Sequence, residues 1–148
     1  QMQHYGNAAI EIKADASPVT IADRESEAII LAGLARLLPD VAVIAEEEAA
    51  AGRYATIGST FALVDPLDGT KEFIKGNGEF TVNIAIIEAG VPVFGLVYAP
   101  ALSRLFVTRG AHEAIETTLD VREPHVTWDG RTLKPLVART PPAAGMPK

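Results

Sequence analysis

An α+β domain, with helices packed on an antiparallel sheet, is the fold class that this sequence predicts. Three observations lead there. A long amphipathic run lies near the start, between Ala22 and Leu38. Four β-like runs separated by short turns begin at Phe80, and short turns make antiparallel neighbours. Two brief apolar strands lie between these regions, and each ends in carboxylates. The chain has 148 residues, one domain's worth. With 48 % hydrophobic and 22 % charged residues its composition is globular, which excludes wholesale disorder.

In chain order, Ala8 to Lys13 reads as a helix remnant or a strand, and Ala14 to Val19 as loop. The long helix begins near Ala22. Ile29, Ile30, Gly33, Leu34, Leu37 and Leu38 fall on one helical stripe, with Arg24, Glu25, Glu27 and Arg36 on the remainder. Thr20 and Asp23 have capping-box spacing at its start, and Pro39 stops it. Val41 to Ala45 then reads as a short buried strand that ends at Glu46-Glu47-Glu48. Ala49 to Ser59 is a small helix or loop broken at Gly52.

Phe61 to Val64 is the second apolar strand, and it runs into the turn Asp65-Pro66-Leu67-Asp68-Gly69-Thr70. Lys71 to Ile74 is a helical turn, and Lys75-Gly76-Asn77-Gly78 is loop. Strands follow over Phe80–Ile87, Val91–Val97, Leu105–Thr108 and Ala114–Thr118. Turns at Glu88-Ala89-Gly90, Ala99-Pro100-Ala101 and Arg109-Gly110-Ala111 join them. The proline-rich tail from Val121 predicts one more short strand and then loss of order.

Charge and composition narrow the function. With 13 basic and 19 acidic residues the formal charge is −6, so the chain lacks an electrostatic footprint for nucleic acid or anionic lipid. There is no cysteine, which excludes disulfides, thiol nucleophiles and thiolate metal sites. His4, His112 and His125 stand far apart, so a histidine-built metal site is not expected. No apolar run is long enough to span a bilayer and no signal peptide is visible. A cytoplasmic location is expected, with peripheral contact to the inner face of the cell membrane left open. The chain lacks an initiator Met and opens in mid-pattern. It is therefore expected to be a piece of something longer, incomplete at both ends.

Asp65 to Thr70 is the segment that carries chemistry. The strand delivers Asp65, and Pro66 sets a backbone that lets Asp65 and Asp68 converge. Leu67 offers its carbonyl oxygen, and oxygen ligands of this kind suit Mg²⁺. Gly69 permits close approach of the backbone to a ligand. Thr70 brings a hydroxyl and an amide to the start of the following turn, where phosphate oxygens bind well. The plainer reading is a turn and nothing more, since Asp, Pro and Gly are common turn residues; the acidic cluster at a second strand end argues against it. If the Val41–Ala45 strand lies beside Phe61–Val64, Glu46 faces Asp65. Glu46, Asp65 and Asp68 can then gather around two cations, as in two-metal phosphoryl transfer. Glu47 and Glu48 read as solvated acids opening a helix. Asp23 keeps two readings: it caps the helix with Thr20, or it binds the Thr70 hydroxyl. Phe80 is expected in the core, Lys71, Glu72 and Phe73 as plain first-turn residues, Thr81 and Asn83 as ordinary strand positions, and Trp128-Asp129-Gly130 as a hairpin turn rather than a metal motif.

These residues resemble a family. Ala45–Gly52 (AEEEAAAG), Asp65–Thr70 (DPLDGT) and the upstream Val19–Asp23 (VTIAD) look like the Mg²⁺-dependent, lithium-sensitive phosphatases of the inositol monophosphatase superfamily, in that family's order. Asp68–Ile74 (DGTKEFI), Asn77–Glu88 (NGEFTVNIAIIE) and Gly95–Pro100 (GLVYAP) resemble most its branch of CysQ-type 3′(2′),5′-bisphosphate nucleotidases. The resemblance runs from about Lys13 to Phe106. It implies the amino-terminal domain of a layered αβαβα sugar-phosphatase-like fold. It also implies one Mg²⁺ on Glu46, Asp65 and the Leu67 carbonyl, and a second shared by Asp65 and Asp68. Gly69 and Thr70 would hold the scissile phosphate, while Thr70 and Glu46 orient the attacking water, with Asp23 behind Thr70. The implied substrate is adenosine 3′,5′-bisphosphate, a by-product of sulfate assimilation, hydrolysed to AMP and phosphate.

One departure stands against a complete enzyme. The family's further metal-ligating aspartate lies in a W-D-x-A-A-G-like motif of a carboxy-terminal domain that also shapes the nucleoside pocket. Trp128-Asp129 is followed by Gly130-Arg131 and comes too early to be that motif. Two rivals follow: a relative acting on inositol or another sugar phosphate, and a catalytically incomplete domain that binds Mg²⁺ and phosphate.

Overall fold

The computed structural model describes residues 1–5, 10–12, 18–53, 55–110, 113–120, 122, 128 and 131–137. Two short strands, β1 (Ile10–Ile12) and β2 (Pro18–Thr20), pair antiparallel. The Ala8–Lys13 stretch therefore contains a strand, and the expected loop to Val19 ends in one; residues 13–17 lie outside the described residues. Helix α1 (Ile21–Leu37) follows, then β3 (Ala42–Ala45), α2 (Glu46–Ala50), β4 (Thr60–Asp68), α3 (Thr70–Lys75), β5 (Thr81–Glu88), β6 (Val91–Ala99), β7 (Arg104–Arg109), β8 (Glu113–Thr118) and β9 (Lys134–Pro135). Strands β3 to β9 form one seven-stranded sheet in chain order. From β5 to β8 it is a meander, with only two to four residues between successive strands; residues 119–133 lead from β8 to β9.

The α+β layering is as expected, with a difference at one edge. Strands β4 to β9 are antiparallel, but β3 pairs with β4 in parallel, Ala42 opposite Phe61 and Ala45 opposite Val64. Parallel neighbours need a crossover of a dozen or more residues, and residues 46–59, with α2 inside them, supply it. The sheet is therefore mixed.

The face of α1 that is buried also differs from the expected stripe. Ile29 is 73 % exposed and Leu37 78 %. Ala22, Asp23, Ser26 and Glu27 are buried instead. The helix lies against β4, and the short side chains at its start let it approach closely. Hydrophobic periodicity locates an apolar stripe, not the partner that covers it.

The core beneath the informative loop consists of Ala22, Leu67, Phe73 and Phe80, with Met2, Tyr5 and Ala101 packed around it. Phe73 and Phe80 meet edge to face, ring centroids 4.9 Å apart at 89°, the arrangement the aromatic quadrupole favours. Phe80 is core as expected, and so is Phe73, which read as a plain first-turn residue. Leu67 and Pro66 are both fully buried, so the two residues between the aspartates anchor the segment that carries them. The expected late strand is β9; residues 138–148 lie outside the described residues. So do Asp129 and Gly130 of the expected hairpin turn, although the Arg131 amide donates to the Trp128 carbonyl. Among the described residues no helix is long and apolar enough to cross a membrane.

Candidate active site

Strand β4 does not stop at Asp65. It continues through Pro66 and Leu67 to Asp68, with a break in register. Asp65 lies opposite Asn83 and Asp68 opposite Thr81. Two residues of β4 thus stand against one of β5, which is a β-bulge. Pro66 has no N–H to give to the ladder, and the Asp65 Oδ1 accepts the Leu67 amide at 3.1 Å. The expected turn is therefore an Asx turn inside a bulged strand. The difference matters for chemistry. In a regular strand residues three apart face opposite sides. Here the extra residue restores the phase, because Asn83 and Thr81, two apart, share a face. Asp65 and Asp68 therefore lie on that face together.

Glu46 reaches the site from the neighbouring strand. The last register pair of β3 and β4 is Ala45 with Val64, so the next residues, Glu46 and Asp65, leave the same edge side by side. Their carboxyls hydrogen-bond to one another. Desolvation, the Glu46 charge and the bond to Glu46, with a smaller push from Asp68, raise the Asp65 pKa to about 7; the Leu67 amide pulls the other way. Asp68 is exposed, and its Oδ2 accepts from Asn83 Nδ2 at 3.1 Å. Among the described residues no three Asp, Glu or His side chains are gathered tightly enough to hold a metal ion as they stand. The expected convergence is thus a Glu46–Asp65 pair with Asp68 one step aside. Like charges repel, and Asn83 offers Asp68 a neutral donor.

Asp23 combines its two readings. Its Oδ2 accepts the Thr20 amide at 2.7 Å and the Thr20 hydroxyl at 2.6 Å, while the Ala22 amide donates to Thr20 Oγ1. Its Oδ1 accepts the Thr70 hydroxyl at 3.2 Å. That hydroxyl also lies 3.2 Å from the Leu67 carbonyl. Asp23 is 2 % exposed, so the link is shielded from water. Gly69 caps α3 with φ +88°, and a Cβ there would stand 2.8 Å from the Glu79 carbonyl. Only glycine fits both the angle and the space.

Sequence reasoning missed Glu27. It is buried, and its carboxylate accepts the Glu47 amide at 2.7 Å and the Glu48 amide at 3.0 Å. These are orphan donors of the α2 first turn, which the preceding Ala45 cannot cap. Burial raises the Glu27 pKa, and the two amides oppose that shift. Glu27 thereby fixes the turn that carries Glu46. Local pattern offered no signal, since Glu27 falls with the charged residues off the apolar stripe. Glu48 pairs with Arg53 at 2.5 Å, in keeping with its plain structural reading.

The donor set is all oxygen: carboxylates of Glu46, Asp65 and Asp68 and the Leu67 carbonyl. Two acids in contact, one with its pKa raised to about 7, are relieved by a hard divalent cation, so the residues present fit Mg²⁺.

The sequence model of the inositol monophosphatase family matches residues 2–132. The chain belongs to the inositol monophosphatase family. Within it, the chain is 55 % identical over 94 residues to the 3′(2′),5′-bisphosphate nucleotidase CysQ of Salmonella typhimurium, covering 64 % of this chain and 38 % of that protein. It is 38 % identical over 116 residues to a histidinol-phosphatase of Mycobacterium tuberculosis, covering 78 % and 43 %. The fold matches the IMPase of Thermotoga maritima with a TM-score of 0.70 at 30 % identity, over 82 % of this chain and 46 % of that one. The chain thus spans about two fifths of the length of the curated family members it matches.

Proposed function

We propose that this chain is the metal- and phosphate-binding part of a Mg²⁺-dependent phosphomonoester hydrolase, a 3′(2′),5′-bisphosphate nucleotidase converting adenosine 3′,5′-bisphosphate to AMP and phosphate. The observation that carries the reading is the meeting of Glu46 and Asp65 at the shared edge of two parallel strands. The likeness to the CysQ nucleotidase supports the choice of substrate. In this reading the remaining metal ligand and the nucleoside pocket belong to a carboxy-terminal part of the same protein, which is cytoplasmic.

Glu46, Asp65 and the Leu67 carbonyl would hold one Mg²⁺, and Asp65 with Asp68 would hold a second. Bound there, Mg²⁺ would supply Lewis acidity toward a phosphoryl group and a lowered pKa for water. The Thr70 hydroxyl donates its hydrogen bond to Asp23 Oδ1, so its lone pairs are left to accept a hydrogen bond from the attacking water. Glu46 orients that water from the other side. Gly69, without a side chain, lets the backbone of the α3 start lie against the scissile phosphate. The water oxygen bonds to phosphorus as the ester P–O bond breaks, the water gives up a proton and the leaving ribose oxygen takes one from solvent, so no residue becomes covalently attached.

The histidinol-phosphatase likeness favours a second reading, the same site acting on a different phosphomonoester. The test uses the whole protein and a panel of adenosine 3′,5′-bisphosphate, inositol 1-phosphate and histidinol phosphate. Fastest release from the nucleotide, abolished by Asp68→Asn, is expected. Preference for another substrate overturns the nucleotidase reading, and full activity of Asp68→Asn overturns the site. Mg²⁺ binding without hydrolysis of any phosphomonoester favours the binding domain.

A further inference from the structure

We propose that Asn83 is a positioning residue for Asp68, itself set by Thr81, and that this pair fixes how the Asp68 carboxylate presents itself to a divalent cation. The proposal rests on the reading of Asp68 as a cation ligand, and the experiment below separates the two.

Strand β5 carries Thr81 and Asn83 two residues apart, hence on one face. Asn83 Nδ2 donates to Asp68 Oδ2 at 3.1 Å, and Thr81 Oγ1 donates to Asn83 Oδ1 at 3.1 Å. The direction is fixed by chemistry. An ionised carboxylate only accepts, so the amide must turn its nitrogen to Asp68 and its oxygen to Thr81, whose hydroxyl must then donate. A flipped amide would set its carbonyl against the carboxylate.

Asp68 is exposed, so packing does little to hold its side chain, and the amide supplies the restraint. It occupies Oδ2 and leaves Oδ1 for a cation. The donor is neutral, so it does not offset the carboxylate charge that draws a cation, as Lys or Arg would. Hydrogen bonds to ligating carboxylates of this kind are worth about 10- to 100-fold in metal affinity. The bulge of β4 is the other half of the device, because it brings Asp68 into phase with Thr81 and Asn83. An asparagine that merely decorates the strand would affect stability but not cation affinity.

The test measures Mg²⁺ binding by calorimetry and melting in chelator, on the whole protein. Asn83→Leu, of nearly equal shape, is expected to weaken Mg²⁺ binding about 10- to 100-fold with little change in the metal-free Tm. Thr81→Val is expected to weaken it less, Thr81→Ser to restore it, and the double variant to bind no worse than Asn83→Leu, because Thr81 acts through Asn83. Wild-type binding by Asn83→Leu, alongside loss in Asp68→Asn, overturns the positioning role and leaves the ligand reading standing. Undiminished binding by Asp68→Asn overturns the ligand reading and this proposal with it. If Asn83→Leu fails to fold, the Thr81 pair decides: equal affinities for Val and Ser overturn the proposal.

Discussion

The Thr70 hydroxyl donates to Asp23 Oδ1 across 47 residues of sequence, while Asp23 Oδ2 closes the capping box of α1 on Thr20. One buried carboxylate therefore serves helix initiation and the candidate site together. Its two oxygens are divided between the tasks, so neither role displaces the other.

That division separates two kinds of variant. Thr70→Val in the whole protein is expected to lower kcat by about 10²- to 10⁴-fold, with Thr70→Ser recovering most of it. Thr20→Ala is expected to cost about 1 kcal/mol of stability through the lost cap, with a much smaller effect on kcat. Steady-state kinetics paired with urea unfolding distinguishes them. Equal kcat for Thr70→Val and wild type removes Thr70 from the chemistry.

Asp65 predicts a pH dependence. Its pKa stands at about 7 in the folded chain against a usual value of 3.8. The folded state therefore holds a proton that the unfolded state releases, and stability falls as pH rises from about 4 through 7. In chelator, melting temperature should fall over that range, and Asp65→Asn should flatten the slope. Mg²⁺ should raise the melting temperature most at the alkaline end. A chelated protein as stable at pH 8 as at pH 5 contradicts the Glu46–Asp65 pairing.

Glu27→Ala leaves the Glu47 and Glu48 amides without their acceptor. A lost acceptor for part-buried donors such as these is expected to cost about 1 kcal/mol, the low end of the range for buried groups. Because the same turn carries Glu46, Mg²⁺ affinity should fall as well, which calorimetry reads directly. A stability loss without any change in affinity would show that α2 keeps Glu46 in place by other means.

Gly69 and Gly90 form a matched pair. Both have positive φ, +88° and +80°, but a Cβ at Gly69 meets the Glu79 carbonyl at 2.8 Å, whereas Gly90 has open space. Gly90→Ala should cost only the left-handed backbone penalty, about 1–2 kcal/mol. Gly69→Ala should cost more and should also reduce phosphate release. Equal losses in chemical denaturation would mean that the backbone near Glu79 yields freely.

Much of this architecture was legible in local pattern. The Thr20–Asp23 cap, the stop at Pro39 and the Ala89-Gly90 turn between β5 and β6 follow from residues a few positions apart, and all are present. The strand leading into Asp65 and the helix after Gly69 were equally plain. The face of α1 was not, because Ala22, Ser26 and Glu27 are buried by what lies across from them rather than by their own hydrophobicity. Nor was the bulge at Pro66, since Asp-Pro-x-Asp-Gly is also the composition of an ordinary turn.

The sequence by itself determined the inventory: carboxylates at two strand ends, a threonine after a glycine, and the family they resemble. Tertiary structure decided which of them meet. Parallel pairing of β3 with β4 put Glu46 against Asp65, the bulge turned Asp68 onto the same face, and Asp23 reached Thr70 across the fold. Spacing along a chain fixes only neighbours within a few residues. The register between strands depends on long-range packing, and it decides which side chains come within a few ångströms.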